Sequence, residues 1–393
     1  MPTANEFKSG RHFLQIPGPS NVPDRVLRAI DRPTIDHRGP EFAALTLEIL
    51  DRLKTLFGTR SHVVMYPSSG TGAWEAALVN TLSPGDRVLA FDNGQFATLW
   101  CGVAQRLGLE VVFEPGDWRE SVDPVAVEQR LREDQNHTIK AVMVVHNETS
   151  TGVVSPIAEI RRAIDRSGHP ALYLVDTVSS LGSMEFRHDD WGADVTVCGS
   201  QKGMMLPPGI GFNAIGEKAI RASETASMSK AYWDWAPIIK NNEHGFFPYT
   251  PSTNLLYGLC ESLTMLMEEG LDHVFARHHR LAEATRLAVA GWGLEILCRD
   301  PASASDSLTA VVVPDGYDAD DIRKIILKRF DLSLGVGLGQ LAGKVFRIGH
   351  LGDLNDLTMA GTLAGVEMGL SIAQVPHEKN GVAAALDYLA QTT

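Results

Sequence analysis

Residues Ala171–Gly203 read ALYLVDTVSSLGSMEFRHDDWGADVTVCGSQKG. Two short apolar runs sit in this stretch, Ala171–Val175 and Asp194–Cys198, each followed by small polar residues. Each reads as a buried strand of a parallel sheet. Asp176 follows the first run directly, and Lys202 follows the second after Gly199, Ser200 and Gln201. Ligand groups gather at the carboxyl ends of the strands in open α/β sheets. A carboxylate and an amine, 26 residues apart in sequence, are therefore expected to face one crevice.

Working outward, the same rhythm recurs. Val63–Tyr66, Arg87–Phe91, Glu110–Phe113, Ala141–Val145 and Ile210–Ala214 read as further strands, with helical segments over Gly72–Thr81, Gln95–Leu107, Pro124–Arg132 and Pro156–Ser167. Alternating strands and helices predict a mostly parallel sheet covered on both faces. Glu41–Phe57 has the apolar spacing of a helix before it. Beyond about Asn254 the rhythm changes. Two long helical stretches, Leu255–Glu269 and Leu271–Trp292, precede short strands near Leu294–Leu297, Ser307–Val313 and Val345–Ile348, and helices over Asp320–Phe330, Leu354–Ser371 and Gly381–Ala390. The expected division is an irregular N-terminal arm over 1–24, a large domain over 25–269 and a smaller C-terminal α+β domain over 270–393.

Composition limits the functions open to this chain. At 393 residues, 44% apolar and 21% charged, it has the profile of a soluble globular protein. Its 35 basic and 48 acidic side chains give a net charge of −13, which disfavours nucleic acid and anionic membranes as partners. Cys101, Cys198, Cys260 and Cys298 are widely spaced, with no zinc-like pattern and no metal site expected, so free thiols in a reducing compartment follow. With no signal core and no run long enough to span a membrane, the expected location is cytoplasmic.

Several stretches carry chemistry. A carboxylate–amine pair of this kind suits pyridoxal 5′-phosphate (PLP): the amine bonds the aldehyde, and the carboxylate keeps the pyridine nitrogen protonated so that the ring can take up electrons. The plainer readings are a turn cap for Asp176 and a solvated lysine for Lys202. SSGTGAWEAAL, Ser68–Leu78, puts Ser69, Gly70 and Thr71 at a strand–helix turn, where amides and the helix dipole can cradle a phosphate. It lacks the lysine of a Walker loop and the third glycine of a dinucleotide fingerprint. In DNGQFATLW, Asp92–Trp100, Phe96 is placed either to face an aromatic ligand or to begin a buried helix face. VVHNETSTGVVSP, Val144–Pro156, offers Thr149 to a ring hydroxyl or phosphate, while His146 and Glu148 read as structural. GKVFRIGH, Gly343–His350, carries Arg347, suited to pairing a carboxylate with two parallel bonds. The glycines before it, Gly335, Gly337 and Gly339, imply close backbone approach. IPGPSNVP, with Gly18 in it, cannot be helical; it is either a linker or an arm laid against a site.

Taken in order, IPGPSNVP, IDHRGPEF, PSSGTG, HNETSTGV, LVDTVSS, GSQKGMMLPPG, FPYTP and GKVFRIGH resemble the class V, fold-type I PLP aminotransferases. The resemblance is strongest to the serine–glyoxylate and alanine–glyoxylate branch, and runs from about Phe13 to Leu389. It implies an α/β fold with a mainly parallel seven-stranded sheet and a homodimer, with tetramers left open. It implies Lys202 as the residue bonding the cofactor, Asp176 as the pyridine partner and Arg347 as the substrate clamp. Ser69, Gly70, Thr71 and Gln201 would hold the phosphate, Thr149 would lie near the ring hydroxyl, and Thr250 would arrive from the second subunit. Phe96 stands where several relatives have a ring-stacking tryptophan. Phe247 lacks the hydroxyl that some relatives carry there, with Tyr249 as a substitute, and Thr177 replaces a glycine or serine.

The substrates expected are small amino acids and 2-oxo acids. The reaction implied moves the amino group of an L-amino acid, best matched by L-serine, to glyoxylate. Alanine and aspartate are alternative donors; aspartate wants a second cation, for which Arg38 is the candidate. A PLP lyase or desulfurase on the same fold needs a mobile cysteine, and the four apolar cysteine contexts argue against one. A catalytically silent binding protein would not need both Lys202 and Asp176.

Overall fold

The computed structural model describes residues 9–392. The first eight residues of the expected arm lie outside it. The central sheet has seven strands: β2 (His62–Ser68), β3 (Arg87–Phe91), β4 (Glu110–Glu114), β5 (Ile139–Val145), β8 (Leu172–Asp176), β9 (Val195–Gly199) and β10 (Gly209–Ile215), in the spatial order β2-β10-β9-β8-β5-β3-β4. Only β10 runs against its neighbours. Two further short strands, β6 (Asn147–Glu148) and β7 (Val153–Val154), pair as a hairpin past the end of β5.

The parallel strands are buried on both faces, which explains why they read as continuous apolar runs rather than alternating ones. β5, β8 and β9 carry apolar cores on either side: Val142, Val144, Tyr173 and Cys198 on one, Met143, Leu174, Val195 and Val197 on the other. The second core is closed by α3 (Gly70–Thr81), α4 (Gln95–Arg106), α7 (Glu217–Ser223) and α8 (Trp235–Asn242), and the first by α2 (Pro40–Phe57), α5 (Pro124–Glu133) and α6 (Ile157–Ser167), with α1 (Asp24–Ile30) and α9 (Thr253–Glu269) further along. α2 starts with Pro40 at its first turn and ends on Gly58 in the left-handed region (φ 65°), the usual asymmetry of helix ends.

The long helix α10 (Leu271–Gly291) begins against the large core at Val274 and ends in a separate one at Leu281, Ala284 and Ala288. That smaller core lies against a second sheet: β11 (Glu295–Ile296), β12 (Leu308–Val312), β13 (Leu332–Val336) and β14 (Val345–Gly349), joined by β1 (Phe13–Gln15) in the order β1-β13-β14-β12-β11. Helices α11 (Ala319–Phe330), α12 (Asp356–Ile372) and α13 (Gly381–Gln391) cover it.

Here the structure corrects the sequence reading. The arm is not wholly irregular, because Phe13–Gln15 pairs in parallel with Leu332–Leu334. A three-residue edge strand is too short to leave a period, and its partner β13 is broken by glycine, so neither is visible as a pattern. Gly335 in β13 does mark close approach. A Cβ at Gly335 would lie 2.7 Å from Pro17 Cδ and 3.0 Å from Arg347 Cβ. The arm is thereby threaded between the small sheet and the strand ends of the large one.

Candidate active site

β2, β5, β8 and β9 end on the same edge of the sheet, and the residues that follow them line one cavity of about 240 Å³. Its wall includes Gly18, Ser69, Gly70, Thr71, Phe96, Thr149, Asp176, Gln201 and Lys202. Arg347 stands beside it, joined to Thr149. Thr250 and Arg38 are exposed, and neither is among the residues lining this cavity.

Asp176 is the last residue of β8 and is buried. Its Oδ2 accepts from Trp74 Nε1 at 2.7 Å and its Oδ1 from Val178 N at 2.6 Å. Burial pushes the carboxyl up to about 6, while these two donors and the Lys202 charge pull it back. The carboxylate is ionised at neutral pH and fixed from two sides.

Lys202 lies in the turn after β9, buried, with Nζ donating to Pro17 O. Burial lowers its ammonium to about 7, helped by the Arg347 charge and opposed by Asp176 and Glu148. A large share of the amine is then neutral near pH 7, as a nucleophile or base requires. The arm braces this loop: Ser20 Oγ donates to Lys202 O at 2.8 Å, and Ser20 N donates to Gln201 O at 3.0 Å. Gly18 crosses directly over the lysine at φ +100°, where a Cβ would sit 2.3 Å from Lys202 Cδ. Only glycine combines that backbone angle with that approach.

Arg347, on β14, is also buried. Its Nε donates to Val336 O at 2.7 Å and its Nη1 to Thr149 O at 2.6 Å. Burial lowers the guanidinium to about 10, against the opposing charge of Glu148. It stays cationic at neutral pH, its fork aimed by two carbonyls.

Observations on the buried polar atoms test whether PLP suits this cavity. α3 begins at Gly70 with Ser69 at its N-cap, yet no side chain caps its first turn. Those amides are open to an anion. Gln201 Oε1 and Asn147 Oδ1 are buried without a hydrogen-bond partner among the described residues. A cavity with an amine, a carboxylate, open helix amides and unspent amide oxygens fits a phosphorylated pyridine aldehyde.

Trp74 was not singled out by sequence reasoning, although it contacts Asp176 and lines the cavity. The available signal was its place one helical turn after Gly70, which turns it toward the same strand ends. Phe96 meets Trp74 edge-on, with ring centroids 6.5 Å apart, so two aromatic side chains share this wall. The sequence differences have definite positions. Thr177 Oγ1 donates to Val197 O at 3.0 Å and ties β8 to β9. Tyr249 donates to Met65 O at 3.2 Å and stacks on Tyr232, and Phe247 packs against Phe42. The four cysteines stand outside the cavity lining, and burial pushes Cys101 up to about 12 and Cys298 up to about 11. Among the described residues no helix is long and apolar enough to cross a membrane, and no group of His, Cys, Asp and Glu could hold a metal ion.

Residues 12–339 match the family model for aminotransferase class-V. The chain is 50% identical to a serine–glyoxylate aminotransferase of Methylorubrum extorquens, over 97% of each sequence. It is 46% identical to an L-aspartate–glyoxylate aminotransferase of Paracoccus denitrificans, over 96% of each. Among solved structures, the ureidoglycine–glyoxylate aminotransferase of Bacillus subtilis superposes with a TM-score of 0.90 at 28% identity, over 98% of this chain and 100% of that one. An amine and a carboxylate on neighbouring strand ends, in a chain with these relatives, make it a member of the class-V aminotransferases, a family whose cofactor is PLP.

Proposed function

We propose that this chain transfers the amino group of L-serine to glyoxylate, releasing hydroxypyruvate and glycine. The observation carrying the proposal is the convergence of Lys202, Asp176 and Arg347 on one cavity edge, in a chain half identical to a serine–glyoxylate aminotransferase. PLP, when bound, supplies an aldehyde carbon to carry the amino group and a ring that accepts the electron pair left by the departing α-proton.

The protein's own residues would do the rest. Lys202 bonds the cofactor between turnovers and, once released, takes the α-proton and returns it. Its lowered ammonium (about 7) supports that double role. Asp176 keeps the pyridine nitrogen protonated. Arg347 grips the substrate carboxylate in both half-reactions and so orients the α-hydrogen. Ser69, Gly70, Thr71 and Gln201 hold the phosphate, Thr149 the ring hydroxyl side, and Phe96 a face of the ring, with Gly18 bordering the substrate. Thr250 and Arg38, exposed in one chain, would serve the site of a second subunit in a homodimer. In this proposal the chain consists of an arm over 1–24, a cofactor-binding domain over 25–269 and a small domain over 270–393, and works in the cytoplasm.

Aspartate is the competing donor, favoured by the Paracoccus relative. Against it, Lys202 is the sole cation lining the cavity among the described residues, and Arg347 beside it would be taken up by the α-carboxylate. A second carboxylate would lack a partner unless Arg38 of another subunit supplied it. The experiment is a screen of serine, alanine and aspartate with glyoxylate on PLP-loaded protein, reading glycine. Serine is expected to be fastest; aspartate outpacing it would overturn the donor and leave the reaction class standing.

A further inference from the structure

Glu148 is fully buried at the end of β6. Its Oε2 accepts from Phe96 N at 3.0 Å and from Ala97 N at 3.1 Å. Its Oε1 accepts from Ser150 N at 2.9 Å and from Ser150 Oγ at 2.6 Å. Ser150 Oγ in turn accepts from Gln95 N at 3.0 Å. The first three amides of α4, which a helix cannot satisfy itself, are thus taken by a neighbouring loop. Gly94, the N-cap residue, makes this possible: a Cβ there would lie 2.2 Å from Glu148 Cγ. The next residue along, Thr149, lines the cavity and offers its carbonyl to Arg347.

We propose that Glu148 is a positioning residue that caps α4 from outside the helix and thereby sets the Phe96 wall and the Thr149–Arg347 contact as one unit. Four donors converge on its two oxygens, an arrangement that suits a carboxylate and not a carboxylic acid. Burial opposes this, pushing the group up to about 7. As an anion it also favours the charged forms of Arg347 and Lys202, while Asp176 repels it. An amide in its place has one acceptor oxygen, and its NH₂ would face two donors.

The inference concerning the cofactor rests on the reading that this cavity holds PLP; the inference concerning the helix does not. The test is therefore double. Hydrogen exchange over residues 95–97 is measured on cofactor-free wild type and Glu148→Gln, and the PLP dissociation constant and the pH midpoint of the cofactor's visible absorbance are measured on the loaded proteins. Glu148→Gln is expected to exchange at least ~10-fold faster at these amides. It should bind PLP about 10-fold more weakly, about 1.4 kcal/mol, and shift the absorbance midpoint to lower pH, because Lys202 loses a supporting anion. Glu148→Asp keeps the charge but shortens the reach, so it should restore the midpoint while exchange stays fast. Unchanged exchange with an unchanged midpoint would overturn the proposal, and so would exchange that rises evenly over the whole chain. Ser150→Ala, the gentler variant should Glu148→Gln not fold, is expected to speed exchange at Gln95 alone and to weaken PLP binding about 3-fold; no change in either would equally overturn it. Failure of wild type to bind PLP would sink the function proposed above and leave the helix measurement to be judged by itself.

Discussion

Trp74 Nε1 donates to Asp176 Oδ2 at 2.7 Å, joining the helix that presents the open amides to the strand that presents the carboxylate. This bond favours the ionised carboxylate. Trp74→Phe keeps an aromatic ring, though a smaller one, and removes the donor. A hydrogen bond to a charged group is worth about 1.5–3 kcal/mol, so the Asp176 carboxyl should rise by roughly one to two units above its value of about 6. In the cofactor-free protein the Asp176 carboxyl titration, followed by NMR, should move to higher pH by that amount. A titration that stays in place would show that the bond does not tune Asp176.

Gly18 is held over Lys202 by the arm. A methyl group there would meet both the left-handed backbone angle and the lysine side chain. Gly18→Ala should cut turnover by about 100-fold, on the scale of an ångström-sized misplacement at a reacting centre. Thermal unfolding should shift modestly by comparison, since the strain is local. Near-normal turnover in this variant would mean that the arm does not set the lysine.

Arg347 offers a planar fork, and lysine a point charge. Arg347→Lys should raise KM for amino acid and for glyoxylate together, by ~30-fold or more, because one site serves both carboxylates. PLP affinity should change little. A rise in KM for only one of the two substrates would show that they are not held by the same group.

Four of the buried histidines make the fold acid-sensitive. Burial lowers His146 and His188 to about 4 and His278 and His350 to about 3. Each is depressed in the folded state relative to an unfolded value of about 6.5. Above that pH both states are neutral and nothing is lost. As pH falls from about 6.5 toward 4, the unfolded chain gains protons that the folded chain does not, so stability falls. Urea midpoints should decline steadily across that window. A flat profile would mean that these rings are protonated in place.

The parts of this molecule that reveal themselves in sequence are those with a local physical signature. Ala171–Val175 and Val195–Cys198 are buried on both faces, so an apolar run is all they need, and Asp176 and Lys202 follow from where those runs stop. Helix α3 was expected from Gly72 and begins at Gly70, because the turn glycine is already helical. β1 exists only through its pairing with β13, and no window of the chain contains both. Trp74 is hidden for the same reason: what makes it matter is a hydrogen bond across 102 positions. The cap on α4 is likewise nonlocal, since its carboxylate lies about 50 residues downstream.

The proposed reaction depends above all on the Lys202 amine, which would bond the cofactor and move the α-proton. The direct measurement is multiple turnover of serine with glyoxylate by Lys202→Ala, loaded with PLP and checked for a native fold. A loss of at least ~10³-fold is expected, the scale of a lost acid–base group, with folding retained. Turnover within a few-fold of wild type would contradict it.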